Sequence, residues 1–148
     1  MHIPIKSGAI IPVLIMLPNI IWLLLPHTST SSNATVPLAL NIAENAGRVA
    51  IIVIPFFYSL SFDKRFPVFA LVIACLALAL YYGAWIRYFA GGQSAALMSA
   101  SLIGIPLPMA IAPTVLLVFS AYLMGSWPLL AASIWFGVAH IWVSALTL

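Results

Sequence analysis

Stretches of about twenty apolar residues follow one another along this chain with only short polar breaks between them. A helix of about that length crosses a hydrocarbon core about 30 Å thick. Composition closes the alternatives. Of 148 residues, 65% are hydrophobic and 5% charged, where a soluble domain carries about 25% charge. Five Lys/Arg and two Asp/Glu cannot cover a globule with a soluble surface. That excludes a soluble enzyme, a nucleic-acid-binding module and a disordered tail. The net charge of +3 comes with no basic run able to track phosphates, so no nucleic-acid partner is implied. The expected fold is an all-α, polytopic transmembrane helical bundle, a single integral membrane domain over residues 1–148 whose constant partner is the lipid bilayer.

The breaks place about five spans, at residues 9–25, 37–60, 67–89, 105–124 and 129–148. The N-terminus has the layout of a signal peptide, with Lys6 before an apolar run. Pro26-His27-Thr28 offers no small-residue cleavage site, so the first span is expected to be retained. A polar loop over residues 27–35 follows, with an Asn-Ala-Thr sequon at Asn33. Pro37 and Pro67 suit the first turn of a helix. After Gly91-Gly92-Gln93-Ser94, residues 95–124 are too long for one untilted span and contain Gly104, Pro106, Pro108 and Pro113. Residues 95–103 therefore read as a short re-entrant or interfacial segment before the fourth span. Pro12, Pro18, Pro55 and Pro113 fall within spans, either as kinks repaired by neighbouring helices or, as at Pro18-Asn19 and Pro106-Leu107-Pro108, as broken helices lining a site. The lone Cys75 forms no intramolecular disulfide and is read as a small buried hydrophobe.

Orientation follows from the Lys/Arg bias of short loops. Lys6 precedes the first span, and Lys64 with Arg65 separates the second from the third. These loops are expected on the cytoplasmic side of a multi-pass protein of the plasma or cytoplasmic membrane. The 27–35 loop, the Gly91-Gly92 turn and the C-terminus are then outside.

Sorting the charges this way leaves Glu44, Arg48 and Arg87 within the spans, all in the outer half. Glu44 and Arg48, at i and i+4, share a helix face and can pair. Asn41 and Asn45 extend them into a polar stripe expected to face the bundle, because an unpaired charge at the bilayer centre costs about 2.5–3.5 kcal/mol on insertion scales. The stripe is either an interhelical clamp or part of a substrate or ion site. Arg87 is either an interfacial residue beside Tyr81, Tyr82 and Trp85, or turns inward to bind an anionic headgroup or Glu44. In the last span Ser133, Gly137, His140 and Ser144 make one small, polar face. His140 either packs there or accepts protons or ligand with Glu44 as partner.

Convergence of Asn41, Glu44, Asn45, Arg48, Tyr81, Trp85, Arg87 and His140 would make a polar and aromatic pocket in the outer half of the bundle. The expected function is binding or transport of a small molecule or lipid, with a second copy of the chain as a further candidate partner. The alternative is an accessory or immunity-type protein acting by protein contact. A lipid-modifying enzyme with His140 as base has less support. No residue set implies a cofactor or a metal: His2, His27 and His140 are scattered, and phosphate loops and Gly-x-Ser-x-Gly are absent.

Overall fold

The computed structural model describes residues 7–25 and 35–147. Lys6 and the sequon at Asn33 lie outside the described residues. Helix α1 (Ile10–Leu24) follows a 3-10 turn at Ser7–Ala9, and α2 (Leu38–Val53) runs on into a second 3-10 turn at Ile54–Phe57. Then come α3 (Pro67–Ala90), the short α4 (Ala95–Ser99), α5 (Pro108–Met124) and α6 (Trp127–Thr147). Among the described residues there is no strand, only an isolated bridge between Leu102 and Ile105. The protein is an all-α helical bundle. Ser7–Leu24, Leu38–Phe57, Pro67–Ala90 and Trp127–Thr147 are long and apolar enough to cross a membrane. Pro108–Met124 is a shorter apolar helix of 17 residues, about 26 Å at 1.5 Å per residue.

The second helical stretch stops at Phe57, earlier than the 37–60 span expected from hydropathy. Pro55 has no N–H to return to residue 51 and tightens the chain into a 3-10 turn closed by Tyr58 N–H on the Pro55 carbonyl at 3.2 Å.

The helices pack in the order α3, α5, α6, α2. On α3 the contact face is Ala70, Ala74, Ala77, Tyr81, Ala84 and Tyr88, all buried. Small residues at this spacing let helices approach closely where lipid supplies no hydrophobic drive. Cys75 falls one position off that face and is exposed, so its expected burial is corrected. Glycines set the other two contacts. A Cβ at Gly47 would stand 3.0 Å from the Phe136 Cα, and one at Gly137 would strike the Thr114 side chain.

At one end of the bundle, Gly8 N–H donates to the Tyr58 carbonyl at 3.2 Å and Ser61 N–H to the Leu123 carbonyl at 3.0 Å. Leu60 N–H donates to Ser7 Oγ at 2.9 Å. The start of α1 and the exits of α2 and α5 therefore meet there, and successive long helices alternate in direction.

Helix α1 is attached differently. Ile11, Pro12 and Ile15 are buried near its start, but beyond them it is held to α3 by hydrogen bonds. Pro18 cannot donate to the Leu14 carbonyl, and the Tyr82 hydroxyl donates to that oxygen instead, at 2.8 Å. The Tyr81 hydroxyl donates to the Ile15 carbonyl at 2.9 Å. Asn19 Nδ2 reaches both that carbonyl at 2.8 Å and the Tyr81 oxygen at 2.7 Å. Further along, Trp22 Nε1 donates to the Tyr88 hydroxyl at 3.1 Å. Long aromatic side chains thus hold α1 at a distance from the bundle.

Candidate functional site

Glu44 is the buried charge of the molecule's described part: its side chain is 8% exposed. One oxygen, Oε1, accepts from Arg48 Nη2 at 2.5 Å and faces His140 Nδ1 at 2.8 Å. Three residues on two helices therefore meet at one atom. Local sequence explains the meeting. Gly47, one turn from Glu44, brings α2 against Phe136, and Phe136 is one turn from His140 on α6. Trp135 Nε1 adds a bond to the Ala43 carbonyl at 2.9 Å. The His140 ring stacks on Phe136, with centroids 4.8 Å apart and planes 15° apart, which sets its orientation.

The polar stripe of α2 divides. Glu44, Gly47 and Ile51 are the buried residues of this helix and define its inner face. At about 100° per residue, Asn45 points more than about 100° away from that face, and Asn41 and Arg48 stand at its flanks. Asn41 and Asn45 are exposed and bond each other, Asn45 Nδ2 donating to Asn41 Oδ1 at 2.5 Å and to its carbonyl at 2.9 Å. The side chain of Arg48 is 44% exposed.

Between α1 and the remaining helices lies a cavity of about 510 Å³, within the range of small-molecule sites. Its wall is mostly apolar, and Asn19, Arg48, Tyr81, Trp85, His140 and Ser144 supply its polar groups. Trp85 stands edge-on to Tyr81 at 6.3 Å between centroids, and its indole N–H is buried without a hydrogen bond. Met98 from α4 and Leu107, just before α5, line the cavity as well. No family profile, curated protein or solved structure matches the chain. The geometry of the cavity and of the Glu44 cluster is therefore what bears on function.

Of the residues singled out from sequence, Arg48, Tyr81, Trp85 and His140 line this cavity, with Glu44 directly behind Arg48 and His140. Asn41 and Asn45 do not join them. Arg87 does not reach Glu44: its guanidinium donates to the carbonyls of Ala100 at 2.6 Å, Ser101 at 2.8 Å and Leu97 at 3.2 Å. These are carbonyls at the end of α4 that no later turn satisfies. The segment so anchored contains a tight turn, with Ile103 at φ 52° and Gly104 at φ 76° between mutual Leu102–Ile105 hydrogen bonds of 3.0 Å.

Ser144 was not among the expected site residues, and Asn19 entered only through the Pro18-Asn19 pair, read as either a kink or a break lining a site. The signal for Asn19 was present in the sequence: an amide directly after a mid-span proline, on the turn where the helix has lost a hydrogen bond. Ser144 was visible as a member of the small face of α6, one turn beyond His140. Among the described residues no three His, Cys, Asp or Glu side chains converge as a metal site would need.

Proposed function

We propose that the protein binds a small amphipathic molecule or lipid in the cavity between α1 and the rest of the bundle, as a carrier or receptor within the membrane. The supporting observation is the composition of one half-open cavity: about 510 Å³ with a mostly apolar wall that includes Arg48 and His140, both tied to buried Glu44. Apolar volume with a few convergent polar groups is the usual build of a small-molecule site.

Native mass spectrometry of the protein released from mild detergent tests this reading. A bound lipid or other small molecule should remain on the wild type. Ile20→Trp adds bulk from a half-exposed position on the cavity wall and should remove that adduct while leaving the thermal midpoint unchanged. Absence of any adduct across lipid mixtures, or an adduct unaffected by Ile20→Trp, would count against the cavity as the site.

A second reading has its own support. Both partners of Glu44 bind the same oxygen, one turn from where Gly47 of α2 packs on Phe136 of α6, as a clamp fixing two helices for a protein partner would. On that reading no ligand is retained, and Glu44 variants lose stability alone. As to orientation, we place the end bearing Lys64 and Arg65 on the cytoplasmic side, by the positive-inside rule.

A further inference from the structure

We infer that the occupant of the cavity is a single-chain carboxylic acid, seated with its carboxylate on Arg48 and its proton on His140. This rests on the cavity being a ligand site. The argument starts from the tautomer of His140. Arg48 donates to Glu44 Oε1, and an ionised carboxylate offers only acceptors. The imidazole nitrogen 2.8 Å from that same oxygen, Nδ1, must therefore carry a hydrogen. In its neutral form His140 then has Nε2 as a bare acceptor on the opposite edge of the ring, and stacking on Phe136 keeps the plane in place.

Beside it stands Arg48, which engages Glu44 through Nη2 alone while a guanidinium holds five N–H donors. Its side chain is 44% exposed and lines the cavity, as does His140. An acceptor next to a cationic donor is the complement of a carboxyl group. The acid O–H donates to Nε2 and the carbonyl oxygen accepts from Arg48. The O–H bond then breaks, an N–H bond forms at Nε2, and the carboxylate remains between imidazolium and guanidinium.

Charge balance favours a head that carries one negative charge once bound. Glu44, Arg48, neutral His140 and a neutral acid sum to zero, and the sum is still zero after the proton has moved. Against a mostly apolar wall an uncompensated charge is what binding has to avoid. A fixed cation brings such a charge and a phosphate dianion brings one of the other sign, while an alcohol leaves the Arg48 donors without an ionic partner. The chain of the acid would lie along Met16, Ile20, Leu23, Met98 and Met109. The groups able to disturb His140 are few. Helix α2 contributes Glu44 and Arg48, and α3 contributes Tyr81, whose hydroxyl is committed to the Ile15 carbonyl. The cavity-lining residues of α1, α5 and α6 include no other titratable side chain.

The test is a head-group series on the wild-type protein in lipid nanodiscs. Diazirine-bearing dodecanoic acid and diazirine-bearing dodecanol serve as probes, with labelled residues read by mass spectrometry. Dodecanoic acid, dodecanol, dodecyl phosphate and dodecyltrimethylammonium compete as unlabelled ligands. We expect labelling on cavity residues and displacement by the acid at a concentration at least about tenfold lower than by the alcohol, the margin of one charge-assisted hydrogen bond. Arg48→Gln and His140→Phe should each erase that margin, and refolded thermal midpoints control for folding. If the alcohol or the phosphate displaces as well as the acid, the carboxylic-acid inference is overturned while the cavity remains a ligand site. If the cation displaces best, the inference is overturned by sign. If neither probe labels the cavity, the site reading itself fails.

Discussion

Glu44 holds two helices together through a single oxygen, so its loss should be felt beyond its own volume. Glu44→Leu leaves Arg48 without a counter-charge and His140 Nδ1–H without an acceptor. We expect a loss of about 2 kcal/mol, below the full cost of breaking a buried pair because Arg48 is half-exposed. The double variant Glu44→Leu/Arg48→Leu should recover part of that loss, since it removes the orphaned charge. Reversible unfolding in mixed micelles measures both. The pairing was legible from the i, i+4 spacing, and His140 from its comparable depth on another helix. What sequence could not supply was the rotation of α2. The bulk of Phe136 against Gly47 sets that rotation, and it sends Asn41 and Asn45 outward although they flank Glu44 in the chain. Ile103 is a residue of another kind. A β-branched side chain at φ 52°, 88% exposed at a turn tip, is strained. Ile103→Gly should raise the unfolding midpoint, by about 1 kcal/mol in free energy.

At the scale of elements, the prolines and glycines of the chain act through their neighbours. Tyr82→Phe strips the Leu14 carbonyl of its replacement donor and should cost about 1 kcal/mol, typical of hydrogen bonds between membrane helices. In a Pro18→Ala background the cost should nearly vanish, because residue 18 then supplies the N–H itself, and a double-mutant cycle reads the difference. Where α5 meets α6, Gly137→Ala should destabilise by about 1–3 kcal/mol through collision with Thr114, and Gly137→Ala/Thr114→Ser should restore part of it. Arg87 shows what the chain conceals at this scale. A lone arginine beside aromatics reads as an interfacial anchor or a ligand contact. Its partners are main-chain oxygens ten and more residues downstream, made available by a turn whose geometry no spacing announces. The short segment before the fourth span, by contrast, was visible as an excess of length and a cluster of Gly and Pro.

For the molecule as a whole, the all-α bundle and the positions of the long helices followed from hydropathy, because apolar length is the quantity a bilayer selects. The separation of α1 from the other helices did not, since it depends on which side chains of α3 span the gap. Cysteines introduced at Ser61 and Gly92 in a Cys75→Ser background test the orientation proposed above. A membrane-impermeant maleimide added to intact cells should label the Gly92 position and spare the Ser61 position. The attachment of α1 has a consequence for how the sequence can vary. Tyr81 and Tyr82 grip the carbonyls of Ile15 and Leu14, atoms that every amino acid presents alike. Side chains of α1 that face the cavity, such as Met16, Ile20 and Leu23, are therefore free to be exchanged without loosening the helix, whereas the two tyrosines are not. A saturation library should show permissive cavity-facing positions on the first helix, with Ile11, Ile15 and Asn19 and the two tyrosines of the third intolerant. The shape of the chamber can then be rewritten from one wall while the framework that holds that wall stays the same.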